Sequence, residues 1–106
     1  MTDEELKEAV ARQPYEKVTD ESIAARIKHV TYFVIPDTTM TVCVIEMVNG
    51  FSVRGESACV DPGNFNVQIG REWAYRNAYA KIWPLEGYLL SERRLKESID
   101  STEQTH

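Results

Sequence analysis

Few side chains in this 106-residue sequence have the types and spacing that catalysis or metal binding requires. Cys43 and Cys59 are the two cysteines, and His29 and His106 are the two histidines. These four are not spaced like the ligands of a zinc site. His29, at the start of a predicted strand, is more simply a structural residue than a base that activates a nucleophile. We therefore expect no catalytic residue, no metal and no cofactor, and we predict that the protein is not an enzyme.

A polar cluster near the middle of the chain is the best candidate for binding a small ligand. Arg54, Asp61 and Asn64 lie on a predicted strand and the following turn, and Arg71 lies in the predicted long helix beyond. Free N–H groups at a helix start favour anions, so a small phosphorylated nucleotide could bind here. Turn and capping chemistry is the simpler interpretation of the same residues.

The overall charge argues against a nucleic-acid partner. Twelve basic residues face seventeen acidic ones, and the net charge of -5 repels a phosphate backbone unless the basic groups gather on one face. The basic cluster Arg93, Arg94 and Lys96 is interleaved with Glu92 and Glu97. This alternation is typical of a solvated helix face.

The sequence also predicts a cytoplasmic location and no membrane partner. The first residues lack the basic start and apolar run of a secretory signal. No apolar stretch approaches the roughly 20 residues that a membrane-spanning helix needs. In the cytosol the two cysteines are expected to be reduced thiols.

The secondary-structure signals predict one small α+β domain with a three-stranded antiparallel sheet. Asn49-Gly50 follows an apolar run directly and is a strong hairpin signal. β-branched and aromatic runs predict strands over residues 29–35, 40–48 and 51–59. Short helices are predicted over residues 3–13, ended by Pro14, and from the Thr19 cap to about Lys28.

A long helix is predicted from about Asn64 to Trp83, where Pro84 disfavours continued helix. An apolar segment over 85–90 and a marginal helix from residue 91 follow it, and the last residues are expected to be frayed. The chain thus divides into a helical segment 1–28, a sheet-and-helix core 29–90, and a tail 91–106, all within one domain.

A two-residue turn at Asn49-Gly50 would set the register of the hairpin. In that register Val44 pairs with Gly55 and Glu46 with Val53, and this row is expected to face the core. The opposite face then exposes the residues Cys43, Ile45, Met47, Arg54 and Glu56. Such a mixture of apolar and charged side chains is typical of a protein-binding surface, although an N-terminal helix could also cover it. The same register puts Cys43 and Cys59 on opposite faces, which excludes a disulfide between them.

The long helix has two apolar sectors at 100° per residue. The sector of small side chains, which includes Gly70, Ala74 and Ala78, is expected to face the sheet. The bulky sector contains Trp73 and Trp83. We expect other parts of the chain to cover the tryptophans, and a second copy of the chain is the alternative, because two uncovered indoles would form a large apolar patch.

Two segments of the sequence resemble a known family. The strings "TVCVIEMVNGFSVRGESACVDPGNFN" and "IGREWAYRNAYAKIWPLEGYLL" are similar to small accessory proteins of tailed phages and prophages, including those of coliphages and Shigella phages. The resemblance covers Thr41 to Leu90 and does not include the first 28 residues. It implies a phage protein acting in host takeover or evasion of host defence, without assigning an activity.

Two functions are therefore expected. The first is a non-catalytic phage protein that binds a host protein through either the sheet face containing Cys43, Ile45, Met47, Arg54 and Glu56 or the face containing Trp73 and Trp83. The alternative is an oligomer that sequesters a small nucleotide signal at the residues Arg54, Asp61, Asn64 and Arg71.

Overall fold

A computed structural model describes residues 1–12 and 16–104 of the chain. The predicted stop at Pro14 and the terminal His106 lie outside the described residues. The elements in chain order are α1 (Asp3–Ala11), α2 (Asp20–Ala24), β1 (Ile27–Val34), β2 (Met40–Met47), β3 (Ser52–Ala58), a 3-10 turn (Pro62–Asn64), α3 (Val67–Ala80) and α4 (Ile82–Gln104). The α+β class, the three-stranded antiparallel sheet and the presence of a long C-terminal helix are as predicted.

The three strands form an antiparallel sheet in the order β1-β2-β3. β1 begins at Ile27, opposite Met47, so the predicted second helix is shorter than expected and ends at Ala24. Thr19 caps that helix as predicted, because its hydroxyl accepts from the N–H of Ser22 while the Ser22 side chain accepts from the N–H of Thr19.

The predicted register of the β2–β3 hairpin is wrong by one residue. Cys43 pairs with Gly55 and Ile45 with Val53, so the connection has three residues rather than two. Gly50 has a φ of +89°, and its N–H bonds the carbonyl of Met47 at 2.9 Å. A three-residue loop with a left-handed glycine is the next most common hairpin connection after the two-residue turns.

The one-residue shift exchanges the two faces of β2. Cys43, Ile45 and Met47, which were predicted to be a partner surface, are buried in the core. Glu46 turns outward instead of inward and lies 3.4 Å from the Lys28 ammonium. This register keeps the Glu46 carboxylate hydrated, whereas the predicted one would have buried it beside Val53 at a cost of several kcal/mol.

The prediction that the cysteines point to opposite faces is wrong for the same reason. Both are free thiols. Cys43 is paired with Gly55, and Cys59 lies four residues further along the chain, about 13 Å away at strand rise. The separation along the strand, rather than opposite faces of the sheet, therefore excludes a disulfide between the two cysteines.

α3 packs across the inner face of β2 and β3, as the sector of small side chains predicted. A Cβ atom on Gly55 would lie 2.2 Å from the amide nitrogen of Ala78 and 2.3 Å from the carbonyl oxygen of Ala74. A Cβ on Gly70 would lie 2.7 Å from Thr41 Oγ1, which confirms the close approach expected at this glycine. The core residues are Ile23, Cys43, Ile45, Met47, Val53, Ala74, Ala78 and Ile82.

Pro84 lies in the first turn of a helix instead of following the end of one. α3 stops at Ala80, and α4 starts at Ile82 and runs without interruption through the expected segment boundary at residue 91. Proline fits the first turn of a helix because its missing N–H would have no partner there. Arg26 and Glu86 join α4 to the end of α2 through an ion pair of 3.2 Å. None of the described helices is both long and apolar enough to cross a membrane.

Candidate functional site: an exposed aromatic surface on α3

The side of α3 that faces away from the sheet carries large apolar side chains in contact with solvent. Trp73 is 54% exposed, Ile69 is 59% exposed and Trp83, at the start of α4, is 38% exposed. The expectation that other parts of the chain cover the tryptophans is wrong for the described residues. We call the set Ile69, Trp73, Arg76, Tyr79 and Trp83 the α3 aromatic surface.

Periodicity explains why these residues share one side of the helix. Ala74 and Ala78, four residues apart, share the side of the helix that points into the sheet and are fully buried. Trp73 and Arg76, one and two positions from Ala74, are therefore turned by about 100° and 200° away from the sheet. Ile69, Trp73 and Arg76 follow each other at spacings of four and three. The guanidinium of Arg76 lies 5.5 Å from the centre of the Trp73 ring and also pairs with Glu72 at 2.9 Å.

A row of aromatic rings supports one edge of this surface. The ring centres of Tyr75 and Tyr79 are 5.7 Å apart, and those of Tyr79 and Trp83 are 6.4 Å apart with an edge-to-face angle of 73°. A groove of about 430 Å³ runs beside this row and is lined by Tyr75, Arg76, Tyr79, Ala80 and Trp83. Sequence reasoning did not select Tyr75, Arg76 and Tyr79, although the four-residue spacing of Tyr75, Tyr79 and Trp83 was a usable signal.

Tyr79 fixes the groove to the N-terminal part of the domain. Its hydroxyl donates to Oδ1 of Asp20 at 2.6 Å. Burial raises the pKa of Tyr79 well above its ordinary value, and the neighbouring Asp20 carboxylate raises it further. Tyr79 is therefore a neutral hydrogen-bond donor at physiological pH, and the aromatic row is held in place by a charge-assisted hydrogen bond.

The predicted small-ligand cluster is not assembled in the structure. Arg54 lies on the outward face of the sheet and pairs with Glu56 at 3.7 Å. Asp61 and Asn64 lie beyond the far end of β3, at least four residue rises or about 13 Å from Arg54. Arg71 lies on the β1 side of α3, with its guanidinium 5.4 Å from the Tyr32 ring centre.

Asp61 and Asn64 have capping and turn roles. Asp61 caps the 3-10 turn by accepting from the N–H of Gly63 at 2.9 Å. Asn66, which was not predicted as a cap, starts α3 by accepting from the N–H groups of Gln68 and Ile69. The contacts of Asp61 and Asn64 are therefore those of turn and capping residues, in agreement with the simpler interpretation.

A separate cavity of about 240 Å³ lies where β3, the 3-10 turn and α3 meet. Its wall contains polar side chains and two aromatic rings, and the lining residues are Thr39, Ser57, Ala58, Cys59, Asn64, Phe65, Asn66, Ile69, Gly70 and Trp73. At its wall, Ser57 Oγ donates to the carbonyl of Gly70 at 2.7 Å. Trp73 contributes to both this cavity and the α3 aromatic surface.

Residues 1–12 and 16–104 contain no cluster of side chains that could bind a metal ion. No set of three or more His, Cys, Asp or Glu side chains in these ranges could hold a metal ion. Cys43 is buried, which raises the pKa of its thiol, while a hydrogen bond with Tyr32 acts in the opposite direction. A buried thiol with a raised pKa behaves as a small apolar side chain.

The fold defines a small α+β protein in which one helix covers a three-stranded antiparallel sheet and presents aromatic side chains to solvent. The chain belongs to the family described as "Phage protein (N4 Gp49/phage Sf6 gene 66) family", whose profile matches residues 18–94. This confirms the resemblance to phage accessory proteins. The match starts at residue 18, so it includes α2 and β1. The expectation that the first 28 residues take no part is therefore wrong for residues 18–28, whereas residues 1–17 lie outside the match. Comparison with curated proteins and with solved structures gives no match.

Proposed function

We propose that this phage protein acts without catalysis, by binding a protein of the infected host through the α3 aromatic surface. The observation that carries the proposal is the exposure of Trp73 and Ile69, both more than half open to solvent on adjacent turns. Contiguous exposed apolar groups of this kind mark interaction sites in folded proteins. Host takeover and evasion of host defence are the settings that membership of a phage family suggests.

The chemistry of the surface favours a protein over a nucleic acid. Tryptophan, tyrosine and arginine are the residues that most often dominate the binding energy at protein interfaces, and all three types occur here. The charge of Arg76 is balanced by Glu72, and the chain as a whole carries a net charge of -5. A surface of this charge provides little attraction for phosphates.

Affinity capture from a host lysate tests the proposal. The wild type is compared with Trp73→Ser, which removes the exposed ring without touching the buried side of α3. Phe33→Ser is the matched control, because Phe33 is 49% exposed but lies on β1, away from α3. We expect a host protein that is retained by the wild type and by Phe33→Ser and is lost with Trp73→Ser.

The contribution of Trp73 to the binding free energy determines how much Trp73→Ser should weaken binding. Truncation of an interface hot-spot tryptophan costs at least about 2 kcal/mol, which weakens binding by roughly 30-fold. A captured protein that binds wild type and Trp73→Ser with equal affinity would remove the α3 aromatic surface from the proposal. Absence of any retained host protein would count against protein binding itself.

The cavity between β3 and α3 supports a second candidate, the sequestration of a small nucleotide. Phe65 and Trp73 provide rings on which a base could stack, and Asn64 and Asn66 provide hydrogen-bonding amides. No Lys or Arg side chain lines the cavity, and Asn66 already occupies two N–H groups at the start of α3. The cavity therefore suits the base of a nucleotide better than its phosphates.

Thermal-shift measurements with cyclic dinucleotides, cyclic trinucleotides and ADP-ribose derivatives test this second candidate. A ligand that binds only the folded state raises the melting temperature. The rise is expected to vanish in Trp73→Ser and to persist in Arg71→Ala, since Arg71 lies beside Tyr32 and not in the cavity. Lack of any shift at millimolar ligand would exclude this candidate and leave the protein-binding proposal unaffected.

A further inference from the structure

The helix α4 carries a second exposed apolar stripe that the α3 aromatic surface does not include. Leu85, Tyr88, Leu95 and Ile99 are 39%, 67%, 56% and 50% exposed. With Glu92 between Tyr88 and Leu95, their spacing is three, four, three and four residues. This is the spacing of the contact positions in a coiled coil, and the stripe extends roughly 21 Å along the helix at 1.5 Å per residue.

The stripe borders the hairpin turn at Leu85 and Tyr88 and is turned away from the row of α4 side chains that pack into the domain. The α4 residues that pack inward are Ile82, Glu86 and Leu90, which are buried at successive four-residue spacings. At 100° per residue, the mean directions of the buried row and the exposed stripe differ by about 140°. A second helix can therefore lie along the stripe and meet the rest of the domain at the hairpin turn, where Leu85 and Tyr88 line a cavity with Phe51.

The second half of α4 lacks the burial that normally maintains a helix. Every residue from 91 to 100 is exposed. The contacts of this half with the rest of the domain include those that Arg93 and Arg94 make with Glu16. Isolated helices shorter than about 12–15 residues are marginal in water, so a helix extended this far gains stability from packing of its apolar side.

We infer that a second copy of the chain covers this stripe, with the two α4 helices running antiparallel. The charge of Glu92 decides the direction. In a parallel pair the Glu92 carboxylate would face the same carboxylate of the second copy in the apolar seam. In an antiparallel pair that aligns Tyr88 with Ile99, Glu92 faces Leu95 of the second copy and lies next to its Lys96 ammonium.

The body of the domain has a cavity that can bind the C-terminal part of the second α4 helix. A cavity of about 160 Å³ between the hairpin turn and α4 is lined mainly by apolar groups, including Phe51, Leu85, Tyr88 and Leu89. In the antiparallel alignment Ile99 of the second copy reaches Tyr88 at the wall of this cavity. This contact occurs twice in the dimer, because a two-fold axis relates the two copies. The same symmetry closes the assembly at two copies.

Sedimentation equilibrium and light scattering of the purified full chain test the inference. Glu92→Lys should weaken the dimer by about tenfold or more, because it puts like charges together across the seam. The double variant Glu92→Lys with Lys96→Glu should restore dimerisation, since the attractive pair is reformed with its signs exchanged. Glu97→Lys is the matched control: it makes the same charge change and removes a potential i,i+4 partner of Arg93, but on the opposite side of α4.

Ile99→Asp should give a monomer that keeps the sheet and α3, because Ile99 is exposed and lies beyond the body. A wild-type chain that is monomeric at every accessible concentration would overturn the inference. A dimer that resists both Ile99→Asp and Glu92→Lys would also overturn it, and would place the contact elsewhere. Failure of the charge-exchanged double variant to recover would overturn the antiparallel direction.

Discussion

Replacing Gly55 with alanine is expected to cause a large loss of stability. The new Cβ would lie 2.2 Å from the amide nitrogen of Ala78 and 2.3 Å from the carbonyl oxygen of Ala74. Both atoms are helix backbone, so no side chain can rotate to make room. The clash, more than 1 Å inside an ordinary contact of about 3.5–4.0 Å, is relieved only if α3 moves off the sheet.

The magnitude follows from overpacking in a core that is already closely packed. Such changes cost typically 1–3 kcal/mol, and contact with backbone on two sides places Gly55→Ala near the upper end, at about 3 kcal/mol. For a domain of this size that loss lowers the melting temperature by roughly 10–20 °C. Thermal and urea unfolding followed by circular dichroism measure the change.

Two other glycines serve as controls for the same substitution. Gly87 lies in α4 with nothing near its ideal Cβ, so Gly87→Ala should stabilise the protein by roughly 0.5–1 kcal/mol through helix propensity. At Gly70 the same gain is opposed by the hydroxyl of Thr41, and the net change should stay within about 1 kcal/mol. If Gly55→Ala proves as mild as Gly70→Ala, the close approach of α3 to β3 is refuted.

Three further predictions address the core. Ile45→Glu should unfold the domain, whereas Val44→Glu on the outward face should be tolerated; circular dichroism of the two variants compares them. Thr41→Val should be neutral or stabilising by up to about 1–2 kcal/mol in urea unfolding, because Thr41 Oγ1 is buried without a hydrogen-bond partner among the described residues. The raised pKa of Tyr79 means that the folded state holds this proton more tightly than the unfolded state. Its contribution to stability is complete below pH 10 and is lost as pH rises above it, so we expect the melting temperature of the wild type to fall in this alkaline range and Tyr79→Phe to flatten that fall.

The element types were predictable from the sequence because each has a local cause. The β-branched runs, the Asn49-Gly50 signal and the Thr19 cap act over a few residues, and each produced the expected element. The role of Pro84 was misjudged because proline both ends a preceding helix and suits the first turn of a new one. Choosing between these requires knowing that Ile82 is anchored in the core, which depends on the packing of α4.

The register of the β2–β3 hairpin could not be chosen from the local sequence signals that were used. Both rows of β2 are apolar, with Val42 and Val44 in one and Cys43 and Ile45 in the other, so the strand alone does not choose its inner face. Asn49-Gly50 fits both a two-residue and a three-residue connection. A signal was available in Glu46, whose charge belongs in the outward row rather than opposite Val53.

The predicted partner-binding residues on the sheet depended on this register. Arg54 and Glu56 were correctly placed on an exposed face, because the alternation of charged and small residues in β3 is unambiguous. The residues Cys43, Ile45 and Met47 moved to the core with the register. Trp73 and Trp83 were identified from helix periodicity, but their exposure depends on where α1, α2 and α4 lie, which periodicity does not determine.

The most direct test of the α3 aromatic surface is the fluorescence of Trp73 in a Trp83→Phe variant, where it is the single tryptophan. Without a partner, the account predicts emission and acrylamide quenching typical of a solvent-exposed indole. Addition of a host protein retained in the capture experiment should shift the emission to shorter wavelength and protect the ring from acrylamide. Full binding of that protein with the emission and quenching of Trp73 unchanged would contradict the account.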